Sequence, residues 1–217
     1  VTSTTYDPAT ALIVVDVQHD FGDPAGSLYV SGGEEVLPVV DAEIGAARAA
    51  GSPVYYTQDW HPEHTPHFAR DGGIWPVHCV AGTPGAEFLP GLRIVGEVMR
   101  KGGDGEDGYS GFSVRDPRSG ATRPTRLGSL LEAAGVERVV VVGLAGDWCV
   151  KETALDAVRG GWPAVVPLAA TRFVELHPGD TLAALADLRA AGVTVTGSLV
   201  TGPADRPALP EKPAGTG

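Results

Sequence analysis

Cys149 is the first residue whose setting suggests covalent chemistry. It lies in R-V-V-V-V-G-L-A-G-D-W-C-V-K-E-T-A-L-D, residues 138–156. The β-branched run of Val139 to Val142 reads as a strand buried on both faces. Val150, Ala154, Ala157 and Val158 then recur on one helical face. A strand, a tight turn and a helix put the thiol near the helix's first turn, where unpaired N–H groups and the helix dipole lower a thiol's pKa toward that of a nucleophile. The same residue also reads as a small buried hydrophobe. On this stretch alone both readings stand.

Two further residues extend the nucleophile reading. Asp16 comes near the end of the apolar run A-L-I-V-V-D-V, where a charge is costly unless paired or used. Capping the following loop would also account for it. Lys101 follows a weaker strand expected over Ile94 to Met99. A carboxylate can take a thiol's proton, and a lysine can hold that carboxylate ionised or lower the thiol's pKa by its own charge. The turn Leu144-Ala145-Gly146 could aim backbone N–H groups at a developing oxyanion. That chemistry is acyl transfer from an amide or ester through a thioester.

A second constellation is D-W-H-P-E-H-T-P-H-F followed by W-P-V-H-C. Asp59 and His61 are two apart, His67 is six further on, and His78 eleven beyond that. One carboxylate and three imidazoles suit one divalent metal ion such as Zn, Fe or Mn. The spacing fits no common zinc-finger pattern. His64 is spare, either an outer partner or exposed, and surface histidines are the plain alternative for the whole group.

The elements that must hold these residues form an α/β pattern. Strands are expected at Ala11 to Val17, Val54 to Thr57, Ile94 to Met99, Val139 to Val142, Ala164 to Leu168 and Val193 to Thr196. Helices are expected at Glu34 to Ala50, Thr125 to Ala134, after Cys149 to about Gly161, and Gly179 to Ala191. Residues 58–90 read as a long functional loop and residues 114–124 as an exposed polar loop. Six strands separated mostly by helices imply a doubly wound, mainly parallel six-stranded sheet with helices on both faces. Ligands of such sheets bind beyond the C-terminal strand ends where strand order reverses. Asp16, Asp59, Lys101 and Cys149 each close or follow a strand, so all four are expected on one rim.

The 217 residues suit one domain, expected over residues 1–200, with a Pro/Gly-rich tail over 201–217. A formal net charge of −11 argues against nucleic acid or an anionic membrane as partner. A small-molecule amide is the expected partner, and a homo-oligomer is left open. Two cysteines, Cys79 and Cys149, make no disulfide framework. No apolar run is long enough for a membrane span, and the first residues lack the pattern of a secretory signal, so a cytoplasmic protein is expected.

Several motifs in order then resemble a known family. A-L-I-V-V-D-V-Q-H-D-F, D-W-H…H-F, W-P-V-H-C-V-A-G-T-P-G-A-E-F, R-K-G, Y-S-G-F and G-L-A-G-D-W-C-V-K-E-T-A-L-D-A resemble the isochorismatase-like cysteine hydrolases, most closely their nicotinamidase (pyrazinamidase) branch. The resemblance spans about Ala11 to Val195. It implies hydrolysis of nicotinamide to nicotinate and ammonia, with Cys149 as nucleophile, Asp16 as general base and Lys101 as third member of a triad. It implies Asp59, His61, His67 and His78 as ligands of a metal that binds the substrate's pyridine nitrogen. It further implies an oxyanion hole from the N–H groups of Ala145 and Cys149, and a cis peptide between Leu144 and Ala145. Phe21, Trp75 and Tyr109 match the aromatic lining of the ring pocket, with Leu144 and Trp148 beside the nucleophile. Isochorismatases proper lack the catalytic cysteine, and carbamoylsarcosine and ureidoacrylate amidases lack this ligand set. The chain departs from the branch at His19, where asparagine is common, at Gly146, commonly threonine or larger, and at Trp148, often histidine or another smaller residue. The acidic stretch between Lys101 and Tyr109 is slightly longer than usual. The departures at Gly146 and Trp148 bear on the substrate, leaving open another small-amide or lactam hydrolase of the superfamily, or a silent metal- or partner-binding member.

Overall fold

The first strand, β1 (Thr10–Val15), is buried at every position and explains the layering of the protein. Its side chains alternate between two cores. Leu12 and Val14 join Val36, Val40 and Ile44, whereas Ala11, Ile13 and Val15 join Leu127, Leu131, Val150 and Leu188. A strand apolar on both sides must be covered on both sides, so helices pack above and below the sheet. The structure, a computed structural model, describes residues 4–200; the expected tail over 201–217 lies outside the described residues.

After β1 come the one-turn helix α1 (His19–Gly22) and α2 (Val36–Ala49), then β2 (Val54–Asp59) and β3 (Glu97–Lys101). A small ribbon, β4 (Ser113–Arg115) with β5 (Thr122–Pro124), precedes α3 (Leu127–Ala133). Next are β6 (Arg138–Leu144), α4 (Cys149–Arg159), β7 (Ala164–Pro167), β8 (Thr171–Arg172), α5 (Asp180–Ala190) and β9 (Thr194–Thr196). Helix α2 supplies one core; α3, α4 and α5 supply the other. The α/β doubly wound architecture is as expected. The main sheet is parallel throughout, in the order β3-β2-β1-β6-β7-β9, with β8 pairing to the end of β6. Order reverses between β1 and β6, which opens a crevice at their C-terminal ends.

Four differences from the sequence reading have local causes. Among the described residues a seventh strand, β8, joins the six expected; it is two residues long and shows no periodicity. The third strand lies later than expected: Ile94 and Val95 are exposed, and pairing begins only at Glu97. Lys101 is therefore the last residue of β3, directly opposite Asp59 in register, instead of following the strand. The second strand likewise runs on through polar Gln58 and Asp59. The stretch over residues 114–124 contains an antiparallel ribbon whose exposed, polar β5 carries no apolar alternation. No helix among the described residues is long and apolar enough to cross a membrane.

Candidate active site

The crevice gathers the ends of four strands. Asp16, fully buried, follows β1 directly in the left-handed backbone region, φ 49°. That conformation is uncommon outside glycine and turns the carboxylate toward β2. Its Oδ1 accepts a hydrogen bond from Thr57 Oγ1 at 2.7 Å, and Oδ2 pairs with Lys101 Nζ at 2.7 Å. Lys101 Nζ also contacts Asp59 Oδ1 and lies 3.7 Å from Cys149 Sγ. The sulfur and the carboxylates of Asp16 and Asp59 offer atoms all within 4.8 Å of one another. Sheet register thus delivers three of the groups, and the helix that follows β6 delivers the fourth.

Burial dominates the ionisation of this cluster. It pushes the Asp16 carboxyl up to about 6, against the pull of Lys101 and helped by Asp59. It also works against the ammonium of Lys101, but Asp16 and Asp59 more than offset it and hold the lysine charged. The Cys149 thiol is pushed well above its ordinary value by burial; Lys101 opposes the shift, and Asp16 and Asp59 add to it. This differs from the sequence expectation of a thiol lowered by helix and lysine. Desolvation and two neighbouring carboxylates outweigh one cation, so the resting thiol keeps its proton and needs a base to remove it.

Cys149 opens α4, so its N–H belongs to the first turn that an α-helix leaves without an intrahelical acceptor. The preceding turn is closed by N–H groups of Trp148 and Val150 donating to the Ala145 carbonyl at 3.1 and 3.0 Å. The peptide between Leu144 and Ala145 is cis. Gly143, φ 113°, has to be glycine, since a Cβ there would lie 2.1 Å from the carbonyl oxygen of Val15 across the β1–β6 pair.

Asp59 joins this cluster to the imidazoles. Its Oδ2 lies 3.6 Å from His61 Nε2 and 3.9 Å from His78 Nε2. His61, His67 and His78 offer ring nitrogens all within 4.8 Å of one another, and all three are buried. Both ring nitrogens of His61 lack a hydrogen-bond partner, although the residue is only 1% exposed. Buried polar atoms are seldom left so. His67 Nδ1 is 2.8 Å from Asp107 Oδ1 and His78 Nδ1 is 2.8 Å from the Pro76 carbonyl, so acceptor partners place the proton on Nδ1 and leave Nε2 free. Burial, reinforced by His61, pushes His78 down to about 3 and keeps it neutral. Burial opposes the charge of Asp59, but Lys101 and His61 more than offset it and hold the carboxyl well below the usual range. Three converging buried imidazoles, one ionised carboxylate and an orphaned histidine fit a divalent metal. His64 takes no part: its side chain is 70% exposed and faces Asp71 at 3.2 Å.

A small apolar cavity lies between the two clusters. Phe21, Trp75, Tyr109, Leu144 and Trp148 line it together with Ala145, Cys149, Asp59 and the three buried histidines. Trp75 Nε1 donates to the Tyr109 hydroxyl at 2.9 Å. The Trp148 ring stands edge-on to Trp75, centroids 4.8 Å apart, and 5.3 Å from Tyr109. Trp148 and Tyr109 also border a wider, open cleft outside, so the two rings together separate pocket from cleft. Gly146 is explained by Phe173: a Cβ at Gly146 would meet that ring at 2.5 Å.

Residues 10–198 match the model of the isochorismatase domain. The chain belongs to the isochorismatase family. Within that family it is 40% identical to a nicotinamidase/pyrazinamidase of Mycobacterium tuberculosis over 84% of this chain and 96% of that one. Two solved structures superpose on it. The pyrazinamidase of Pyrococcus horikoshii in complex with zinc is 36% identical, with a TM-score of 0.77 over 87% of this chain and 99% of that one. PnC1 from L. infantum in complex with nicotinate is 37% identical, with a TM-score of 0.80 over 89% of this chain and 95% of that one. The isochorismatase-family fold here carries three supporting residues that the sequence reading missed. Gln18 donates from Nε2 to the carbonyls of Asp59 and Ala86, both at 2.8 Å, and accepts from the Asp59 N–H at 2.8 Å. Thr57 holds Asp16, and Asp107 holds His67. For Gln18 the only signal was a polar residue just beyond a buried strand; Thr57 was read as part of a strand, and Asp107 as one acid among several.

Proposed function

We propose that this isochorismatase-family enzyme hydrolyses nicotinamide to nicotinate and ammonia through a thioester. The observation that carries the reading is that Asp59 is shared. One of its oxygens contacts Lys101 of the Asp16–Lys101–Cys149 cluster, and the other faces the three-histidine cluster, across a single aromatic cavity. The related proteins from M. tuberculosis, P. horikoshii and L. infantum support the substrate class.

Asp16 takes the proton of the Cys149 thiol, and the sulfur attacks the carboxamide carbon. The developing oxyanion is met by the N–H groups of Ala145 and Cys149. Asp16 returns its proton to the nitrogen as the C–N bond breaks, ammonia leaves, and a thioester remains. Asp16 then takes a proton from water as that water attacks the acyl carbon, and passes it to the Cys149 sulfur as the C–S bond breaks; the acid released gives its remaining proton to solvent and is nicotinate. Lys101 stays charged throughout and offsets the negative charge that moves between Asp16 and Cys149. Asp59, His61, His67 and His78 would hold one divalent metal, for which the zinc-bound relative favours zinc over iron or manganese. When bound, it supplies a Lewis-acidic anchor for the pyridine nitrogen. Phe21, Trp75, Tyr109, Leu144 and Trp148 clasp the ring.

Ammonia release from nicotinamide, compared with other aromatic carboxamides and with lactams, tests the substrate. Preference for a lactam would move the chain to another amidase of the family. Cys149→Ala tests the covalent step: turnover is expected to fall by at least about 10⁴-fold while nicotinamide still binds. Retained turnover would end the thioester mechanism.

A further inference from the structure

We propose that Asp107 is a positioning residue of the metal centre, aiming His67 at the ion by hydrogen bonding to its Nδ1–H. The three buried histidines are held in three different ways. His61 has its backbone tied on both sides, N–H to the Cys79 carbonyl at 2.9 Å and carbonyl to the Ala81 N–H at 2.8 Å. Its ring stacks on His67, centroids 4.7 Å apart, and rests where Gly102 leaves room, since a Cβ there would lie 2.5 Å from it. His78 is fixed through the carbonyl of Pro76, two residues away. His67 sits in a turn, with its N–H 3.3 Å from Thr65 Oγ1, and its ring nitrogen is held by a carboxylate forty positions along the chain.

The backbone that carries this carboxylate is fixed on both sides. Asp107 N–H donates to the Arg115 carbonyl at 2.7 Å, and Arg115 N–H returns a bond to the Asp107 carbonyl at 2.9 Å. Asp107 Oδ2 faces Arg115 Nη1 at 3.5 Å. On the preceding residue, Glu106 contacts Arg123 on the partner strand of the ribbon. The β4–β5 ribbon is therefore a brace for the segment that carries Asp107. With one oxygen on His67 and the other on Arg115, Asp107 is half of a carboxylate–histidine pair, an arrangement that fixes the tautomer and raises the basicity of the ligating nitrogen. The same segment continues to Tyr109 in the substrate cavity, so the brace serves both the centre and the pocket.

The inference rests on the metal site proposed above and has its own test. Zinc affinity is measured by competition with a chromophoric chelator for wild type, Asp107→Ala and Asp107→Asn. Asp107→Ala is expected to bind about 10- to 100-fold more weakly. Asp107→Asn, which keeps an acceptor oxygen but no charge, should recover part of that loss. Cobalt-substituted wild type and Asp107→Ala should differ in their visible ligand-field bands at saturating metal, a change in ligand geometry that a merely structural role would not produce. Unchanged zinc affinity in Asp107→Ala overturns the inference, and so does a loss that Asp107→Asn does not lessen. Wild type that takes up no zinc would instead sink the proposed metal site itself.

Discussion

Asp59 has two different kinds of structure on its two sides. Toward Lys101 the site is built from strand ends: Asp16 follows β1, Asp59 ends β2, Lys101 ends β3 in register with it, and Cys149 starts the helix after β6. Toward the histidines it is built from loop, with residues 60–80 held by turns, ring contacts and distant side chains. Ladder hydrogen bonds fix the first side by register, so moving one group means breaking a sheet. The second side is positioned one residue at a time by outer partners. In the proposed reaction Asp16 and Cys149 at the strand ends exchange the proton and form the thioester beside the charge of Lys101, whereas the loop histidines would hold an ion.

The largest effect is expected at Lys101. Replacing it by methionine leaves Asp16 and Asp59 facing one another in the interior without their shared cation. Removing one partner of a buried charged cluster costs about 3–5 kcal/mol. Lys101→Met should show that loss in chemical denaturation and should have almost no turnover. A stable, active Lys101→Met variant would mean that the strand-end side is not organised by charge.

A pH profile sharpens the assignment of the base. Asp16 must be ionised to receive the thiol proton, and burial raises its carboxyl to about 6. The protonated form is therefore inactive and gains population as pH falls. kcat/KM should rise with pH below about 6, roughly tenfold per pH unit, and level off above it. The limb should shift in Thr57→Val, which removes the hydroxyl that donates to Asp16. With that donor gone the ionised form is less favoured, so the limb moves to higher pH. A limb that ignores Thr57 would assign it to some other group.

The smallest effect belongs to the loop. His64→Ala should change zinc affinity by less than twofold and stability by no more than about 0.5 kcal/mol, the ordinary range for a surface substitution. Its ring is exposed, and its contact with Asp71 is screened by water. A large loss of metal in that variant would show that proximity in sequence outweighs geometry in this loop.

These differences also explain what the sequence disclosed. Cys149 and Asp16 stood out because each interrupts or follows an apolar run whose period and length are local properties. Lys101 was visible as a residue, but its register was not: Ile94 and Val95 look like strand and are exposed, while the pairing that counts begins three residues later. The histidine cluster could be counted, yet its support could not. Asp107 is bound to a residue 40 positions away, and Gln18 to one 41 positions away. No local pattern records such a contact. The β4–β5 ribbon escaped for the opposite reason, being short and mostly polar, with Val114 its one buried residue.

The ring of Phe173 beneath Gly146 carries a consequence for sequence variation. The two positions occupy one volume, so they are not free to change independently. A methyl group at 146 would meet the ring at 2.5 Å, closer than real carbons approach. A relative with threonine in the place of Gly146 must therefore carry a smaller or displaced side chain in the place of Phe173. The pair should covary as a small–large exchange, and Gly146→Thr should be rescued by Phe173→Ala more than the sum of the two single changes predicts.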